Sequence, residues 1–322
     1  MDILIAAGGM EFGPLTPNVK SLGGSETSAI QLAERLAELD QDVIVFSQLP
    51  MSGPDKVEHG QIINGVKWMH LDSFQQYSTA TPHDLLIAQR DPKFISINTQ
   101  SRKKVLWVHD IATHRGMTAA INQIQFAIDE IWTVSEWHRQ QIHEVTDYPL
   151  DKIVPLRNGI VAFDDEDFWN ELDLIERDPK QFFYAARPER GLVALVRPGG
   201  IMSYLQDSTL KIAMYAHFPP HMQEFYDQIF QWVEDSPNCE FVDGRSLSQA
   251  DMRRALKGSV AYLYPTAFEE TSCIIARECI ETLTPFLSTG VGALTETMGD
   301  CGIFYEDWAE ITDPDWEPSY DD

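Results

Sequence analysis

The chain of 322 residues suits two domains better than one, because domains average roughly 150 residues. Its apolar fraction of 43% is ordinary for a folded protein and argues against extended disorder. The net charge of −26 repels phosphate polyanions, which disfavours broad nucleic-acid binding but leaves room for a local basic pocket that holds one small phosphate ligand.

Membrane and disulfide signals are missing from the sequence. No apolar run approaches the ~18 residues that a membrane span needs, and the chain opens on the strand-like MDILIAAGG rather than on a cationic leader. The four cysteines lack C-x-x-C spacing and are too few to staple a chain of this length. We therefore expect a cytoplasmic protein with reduced, buried thiols.

The first half of the chain alternates strands and helices. Residues 2–7 form an apolar run closed by two glycines, and 42–47 is the next buried strand. Between them, 25–39 places apolar side chains at helical spacing. Further strands are predicted at 85–88, 105–108 and 130–134, with helices near 117–127 and 136–144.

The second half repeats this alternation after an acidic stretch, 164–180, which is the best candidate boundary. Strands are predicted at 182–186, 209–214, 239–242, 260–264 and 285–288, with helices near 189–197, 221–235, 248–257, 272–282 and 293–298. The expected organisation is an N-terminal domain (1–165), a C-terminal domain (180–305) and an acidic tail (306–322).

Continuous apolar strands separated by helices are typical of parallel sheets covered on both faces. The sequence therefore predicts an α/β protein with two doubly wound, Rossmann-like domains that face each other across a cleft. In such domains a ligand binds at the carboxyl ends of the strands.

The segment 264–296 carries the strongest chemical signal. Thr271 and Ser272 are good N-cap residues for the following helix, and a helix N-terminus suits a pyrophosphate. Glu270 lies just before this helix and Glu278 eight positions later. Each carboxylate can accept hydrogen bonds from a pair of hydroxyls, as at the two ends of a nucleotide-sugar. Bare glutamate pairs at this spacing are also common on solvated helix faces.

This segment resembles the signature of the retaining glycosyltransferases of family four, which have the GT-B fold. The family pattern is E-x7-E, then a strand, then G-G-x-x-E; this chain has Glu270, Glu278, Pro285 and a GALTE turn in which Ala293 replaces the second glycine. The resemblance implies that Glu270 contacts the donor sugar and that Glu278 contacts the ribose. We also predict Thr271, Ser272 and Cys273, at the start of the helix, as donor-binding residues, so that the C-terminal domain binds the donor and the N-terminal domain lies on the acceptor side.

Two segments of the first half also resemble the family. Gly23 and Gly24 open the first long helix like the family's glycine-rich loop, where glycine lets the backbone approach a substrate closely. His109 follows a buried strand, where the family has a histidine near the hydroxyls of the transferred sugar. A tight turn and a structural histidine are the plainer interpretations. Ser135 is a predicted N-cap, and Asn158 lies in a turn that resembles the family's P-N-G-I.

Arg187 and Arg190 are isolated cations in an acidic protein, just after a predicted strand. The family has an Arg and a Lys near this place that neutralise the donor diphosphate, so the resemblance implies that role here; surface arginines are the alternative. Two features depart from the family: an RPGG sequence interrupts the expected helix near 191–205, and the chain ends soon after the last predicted strand, where the family usually continues into a crossing helix.

The function predicted in this way is retaining transfer of a sugar from a nucleotide-diphosphate sugar to a glycan, lipid or protein-linked acceptor. Catalysis would rest on positioning and on stabilisation of the leaving diphosphate, with no cofactor and no metal. A sugar-nucleotide epimerase or phosphorylase on the same fold and a non-catalytic nucleotide-sugar binding protein remain alternatives.

Overall fold

A computed structural model describes residues 1–113, 116–160, 166–214, 220–243 and 246–305. Backbone packing divides the chain into two units: the first runs from Met1 to Gly159 and the second begins at Ile160. Each unit is built on its own β-sheet. No helix within the described ranges is long and apolar enough to cross a membrane.

The first unit contains an eight-stranded sheet. Its strands are β1 (Asp2–Ala7), β2 (Asp42–Ser47), β3 (Gln61–Ile63), β4 (Val66–His70), β5 (His83–Gln89), β6 (Ser101–Trp107), β7 (Glu130–Thr133) and β8 (Ile153–Pro155). Its helices are α1 (Gly24–Glu38), α2 (Phe74–Ala80), α3 (Lys93–Ser96), α4 (Met117–Ile124) and α5 (Glu136–Thr146). The strand order is β3-β4-β2-β1-β5-β6-β7-β8, and all pairs are parallel except β3–β4.

The central strand β1 shows why both faces of this sheet are covered. Ile3 and Ile5 belong to one buried cluster, whereas Leu4 and Ala6 belong to another. Because successive side chains of a strand point to opposite faces, a continuous apolar run needs a packed layer on each side.

The second unit contains a six-stranded sheet in which all pairs are parallel. Its strands are β9 (Asp178–Ala185), β10 (Thr209–Ala213), β11 (Cys239–Phe241), β12 (Ser259–Tyr264), β13 (Phe286–Ser288) and β14 (Gly302–Phe304). Its helices are α6 (Glu166–Asp173), α7 (Leu192–Val196), α8 (Gln223–Asp235), α9 (Gln249–Gly258), α10 (Ile274–Glu281) and α11 (Leu294–Met298).

The order of the second sheet is β11-β10-β9-β12-β13-β14, which is 3-2-1-4-5-6 when counted from β9. This is the Rossmann order, and it reverses between β9 and β12. In the first sheet the reversal lies between β1 and β5. The prediction of an α/β protein with two Rossmann-like parallel sheets is therefore confirmed.

Some segments differ in detail from the sequence prediction. The acidic stretch 164–180 is more than a linker, since it contains α6, whose Phe168 and Leu172 are buried. The helix predicted at 189–197 is shorter, because α7 begins only at Leu192, after Gly191 in the left-handed region, and ends at Val196 before the RPGG sequence. All four cysteines are free, but Cys301 is exposed rather than buried. The predicted tail, 306–322, lies outside the described residues.

Candidate functional site

The reversal point of the second sheet brings two predicted segments together. The loop after β9 carries Arg187 and Arg190, and the loop after β12 carries Glu270. The loops touch at Gly191, where φ is +103° and a Cβ atom would lie 2.4 Å from the carbonyl oxygen of Pro265. Glycine is therefore required for this close approach.

Glu270 is a buried carboxylate at this point of the sheet and is held by two neighbouring side chains. It is 6% exposed, and its Oε1 accepts hydrogen bonds from Nη1 of Arg190 at 2.9 Å and from the hydroxyl of Tyr264. The Arg190 guanidinium lies 4.0 Å from the ring centroid of Phe268. Within the described ranges, Oε2 of Glu270 accepts no hydrogen bond from the protein, so the carboxylate has one oxygen held and one available.

The GALTE turn holds the backbone of Glu270 in place through backbone contacts. Gly292 forms a parallel bridge with Glu270, and the Ala293 amide donates to the Glu270 carbonyl oxygen at 2.6 Å. Gly292 has a φ of +62°, and a Cβ atom there would lie 2.5 Å from that carbonyl oxygen. The glycine of this turn therefore fixes the backbone that carries Glu270.

We expect Gly292→Ala to destabilise the protein by about 2–5 kcal/mol, from the left-handed φ and the overpacking of Glu270 together. The matched control is Gly199→Ala: Gly199 has a φ of +75°, but a Cβ atom there would meet nothing within 4 Å, so only the conformational cost of about 1 kcal/mol applies. Urea unfolding measures both variants. Equal losses would show that the contact with Glu270 has no effect.

Glu278, in α10, is 6% exposed and pairs with a fully buried arginine. Nη1 of Arg253, from α9, lies 2.9 Å from Oε1 of Glu278, while its Nε lies 3.0 Å from Oε2 of Glu281. Burial raises the pKa of Glu278, and the Arg253 charge opposes that rise. Like Glu270, Glu278 has one oxygen held by the protein, and its Oε2 accepts no hydrogen bond from the described part of the chain.

If Glu278 binds the ribose, its loss weakens the ground state and the transition state alike. We therefore expect Glu278→Gln to raise KM for the donor more than it lowers kcat. Glu281→Gln is the matched control, because it removes the charge of the other carboxylate that pairs with the same arginine. Steady-state kinetics with varied donor separate the two constants. A fall in kcat alone would contradict the ribose assignment.

The predicted caps at Thr271 and Ser272 were wrong, because α10 begins at Ile274 with Cys273 as its N-cap and no side-chain capping bond. The bridge between Glu270 and Gly292 keeps the preceding chain extended, which delays the helix. Ser272 Oγ is instead buried without a hydrogen-bond partner among the described residues. A buried hydroxyl left in this way indicates a missing polar partner. Burial raises the pKa of the Cys273 thiol well above its ordinary value, so it stays protonated.

The sequence suggested that the two arginines of the loop after β9 are isolated cations, but each forms an ion pair with a glutamate. Nε of Arg187 lies 2.5 Å from Oε1 of Glu189, whose Oε2 accepts a hydrogen bond from the Tyr226 hydroxyl at 2.9 Å. Arg190 is paired with Glu270. Both side chains are partly exposed, so an anionic ligand can compete for them.

The glycine-rich loop of the first unit packs against a buried glutamate. Gly23 is the N-cap of α1 and Gly24 its first residue. A Cβ atom on Gly23 would lie 2.3 Å from Oε2 of Glu26, and one on Gly9 would lie 2.9 Å from its Oε1. The Ser25 hydroxyl donates to Glu26 at 2.8 Å. The Glu26 carboxylate therefore packs directly against the backbone of these two glycines.

Arg90 links this loop to the residue after His109, a connection that sequence reasoning missed. It follows β5 in the left-handed region, with a φ of +63°. Its Nε and Nη2 donate to both oxygens of Asp110 at 2.7 and 2.9 Å, and its Nη1 lies 3.4 Å from Glu26. The available signal was positional, because Arg90, like His109, lies within two residues of the end of a predicted strand.

His109 lies at the carboxyl end of β6 and is 9% exposed. Its Nε2 lies 3.0 Å from Nε2 of Gln89, and its ring centroid lies 4.5 Å from that of Trp107. Burial lowers the pKa of His109 to about 3, against the opposing charge of Asp110. The imidazole is therefore neutral near pH 7, and it can exchange hydrogen bonds with a ligand but supplies no positive charge.

A second buried histidine, His138, lies beneath this loop and contacts the Asp110 carbonyl oxygen at 3.0 Å through Nε2. Ser135, a predicted N-cap, indeed caps α5 by accepting from the His138 amide at 3.0 Å. Burial lowers the pKa of His138 to about 4. Asn158 accepts from the Ser28 hydroxyl of α1 at 3.0 Å, which ties the first unit's last turn to its first helix.

These two histidines predict acid sensitivity. Because each folded pKa lies below the ordinary value of 6.5, their stabilising effect is present above pH 6.5 and is lost as pH falls towards 4 and 3. We expect the free energy of unfolding to fall over this range, and His138→Gln to flatten the curve. His221→Gln, at an exposed site, is the control for the loss of one histidine. An identical slope in wild type and His138→Gln would refute the prediction.

A cavity of about 560 Å³ lies elsewhere in the second unit, lined by residues of β9–β11 and α9 such as Phe183, Lys211 and Phe241. None of the predicted site residues lines it, so it does not define the site. In the described ranges, no group of three His, Cys, Asp or Glu side chains is arranged to hold a metal ion.

Comparisons with known proteins identify the fold. No family model matches the sequence, and no curated protein matches it either. Among solved structures, sucrose-phosphate synthase from Thermosynechococcus elongatus is similar with a TM-score of 0.69 and 12% identity, over 96% of this chain and 87% of that one.

A glycosyltransferase from Rickettsia africae is similar with a TM-score of 0.66 and 14% identity, over 95% of this chain and 84% of that one. HepE of Anabaena, solved in complex with UDP-glucose, has a TM-score of 0.63 and 14% identity, over 92% of this chain and 82% of that one. The chain therefore has the GT-B fold of these glycosyltransferases, as the sequence predicted.

Proposed function

We propose that this protein is a retaining glycosyltransferase of the family-four type, which uses a nucleotide-diphosphate sugar and needs no metal. The observation that carries the proposal is a group of side chains at the reversal point of the second sheet. Glu270 has one available oxygen, and Arg190 lies beside it. The Ser272 hydroxyl is buried and has no hydrogen-bond partner among the described residues. Rossmann-like sheets bind their ligands at this point.

In the proposed arrangement the second unit binds the donor. Arg187 and Arg190 exchange their glutamate partners for the diphosphate oxygens, since both are partly exposed and phosphate accepts several hydrogen bonds from a guanidinium. Ser272 donates its hydroxyl to the same group, and Cys273 lies beside it at the start of α10. Glu270 accepts from the sugar hydroxyls and Glu278 from the ribose.

The first unit provides the acceptor side. His109 is neutral, so it exchanges hydrogen bonds with the hydroxyls of the transferred sugar. The loop at Gly23 and Gly24 brings backbone close to the ligand, held by the contacts among Glu26, Arg90 and Asp110. The acceptor itself is left open as a glycan, a lipid or a protein-linked hydroxyl.

The proposed reaction takes place on one face of the donor. The bond between the anomeric carbon and the leaving phosphate oxygen breaks, and a bond to the acceptor oxygen forms on the same face. The acceptor's proton moves to the leaving phosphate. Arginine charge stabilises that phosphate as negative charge develops, which is the form of electrostatic stabilisation that a preorganised site provides.

The experiment is a panel of UDP-, GDP- and ADP-sugars assayed for nucleotide release with and without candidate acceptors, in the presence of EDTA. The proposal predicts release coupled to transfer with the anomeric configuration kept. Conversion of donor without acceptor would favour the epimerase, and phosphate-dependent cleavage the phosphorylase. Binding without any release would favour a non-catalytic binder. Activity restored only by Mn²⁺ or Mg²⁺ would contradict metal independence.

A further inference from the structure

Tyr264 is a buried tyrosine whose ring is held in place by other aromatic rings. It is the last residue of β12, directly at the reversal point of the sheet, and is 1% exposed. Its ring centroid lies 5.9 Å from that of Tyr262, 6.1 Å from Phe286 and 6.3 Å from Tyr184. A phenol packed in this way cannot turn its hydroxyl to another partner without disturbing the core.

The hydroxyl of Tyr264 donates to Oε1 of Glu270. Burial and the Glu270 charge raise the pKa of Tyr264 well above its ordinary value, so the phenol keeps its proton and remains a donor. The second donor to the same oxygen, Arg190, is different in kind: its side chain is 30% exposed and long.

We propose that Tyr264 is a positioning residue that fixes Oε1 of Glu270 and thereby presents Oε2 to the donor sugar. The inference rests on the proposed function, in which Arg190 turns from Glu270 towards the diphosphate when the donor binds. Tyr264 then remains as the donor that keeps the carboxylate in place during the reaction.

The same strand offers a matched control. Tyr262 lies two residues earlier and is also fully buried, but its hydroxyl donates to the Ala185 carbonyl oxygen at 3.1 Å and accepts from the Ala185 amide at 3.2 Å. Tyr262→Phe and Tyr264→Phe therefore each remove one buried phenol hydroxyl from one aromatic cluster, and only the second touches Glu270.

The test is a double-mutant cycle with Glu270→Gln. We expect Tyr264→Phe to lower kcat about ten-fold with little change in the donor KM, as for the loss of one hydrogen bond to a charged group. In the Glu270→Gln background the same substitution should have little further effect, and Tyr262→Phe should leave kcat within about two-fold. Equal loss in both backgrounds, or from both tyrosines, would overturn the inference.

A second measurement does not depend on the variants folding. In a crystal structure of the wild-type protein with bound UDP-sugar or UDP, Oε1 of Glu270 should stay within hydrogen-bond distance of the Tyr264 hydroxyl while Arg190 contacts phosphate. Rotation of Glu270 away from Tyr264 would overturn the inference. A wild-type protein that neither binds nor turns over any nucleotide-sugar would instead refute the proposed function.

Discussion

Glu270→Gln should lower kcat by about 10²-fold, which corresponds to a loss of about 2–3 kcal/mol from one charge-assisted contact. The structure shows why so conservative a change should have so large an effect. Tyr264 and Arg190 both donate to Oε1, so the amide oxygen of the glutamine must occupy that position. The amide NH₂ group then replaces Oε2, and a hydrogen-bond acceptor becomes a donor where the sugar would lie.

Glu269→Gln is the matched control for this prediction. It removes the same charge one residue earlier, from an exposed side chain. Its kcat and donor KM should equal those of the wild type. If both variants are equally active, Glu270 is a structural partner of Arg190 and the proposed contact with the donor sugar is wrong.

Arg253→Met should lower the free energy of unfolding by about 3–5 kcal/mol, the cost of leaving buried carboxylates without their partner. Arg253 is fully buried and forms ion pairs with both Glu278 and Glu281. Methionine fills a similar volume, so the loss measures mainly the uncompensated charge.

The pH dependence tests this explanation of the loss. Burial already holds the pKa of Glu278 and of Glu281 above the ordinary value, so stability from these groups is complete below pH 4.5 and falls as pH rises through the folded pKa. Without the Arg253 charge, the pKa of both glutamates rises further. The loss in free energy of unfolding caused by Arg253→Met should therefore be larger at pH 8 than at pH 5. The triple variant Arg253→Met, Glu278→Gln, Glu281→Gln should recover much of the loss. A pH-independent deficit would indicate a packing defect instead.

Local sequence pattern predicted every strand of six residues or more and, among the shorter ones, β7, β10, β11 and β13. The run 42–47 coincides with β2 because five of its six residues are at least partly buried between two packed layers. By contrast, β3 and β14 are three residues long and have no fully buried residue, so their two apolar residues each are too short a run to indicate a strand. They form because neighbouring strands offer them hydrogen bonds.

Sequence motifs indicated individual candidate residues of the site, but not the contacts between them. Glu270 and Arg190 are eighty positions apart, and no local pattern indicates that they form an ion pair. Arg253 and Arg254 are adjacent in one amphipathic helix, yet one is fully buried against Glu278 and the other pairs with Glu171 and Asp251 at the surface. The direction of the α9 face decides between them, and that is a tertiary property.

Cap chemistry was overridden in the same way. Thr271 and Ser272 are favourable N-cap residues, but the backbone bridge between Glu270 and Gly292 keeps the chain extended past them. The residue types were consistent with a helix start at this place, whereas its position depended on a turn some twenty residues further along the chain.

Binding of nucleoside diphosphates by titration calorimetry tests the central claim most directly, because it needs neither the sugar nor the acceptor to be known. The protein is titrated with UDP, GDP and ADP in the presence of EDTA. We expect at least one of them to bind with a Kd well below 1 mM, and Arg190→Gln to weaken this binding by about ten-fold or more, as for the loss of one charge-assisted contact. If none of the three binds below millimolar concentration, the assignment of the second unit as a nucleotide-sugar site is wrong.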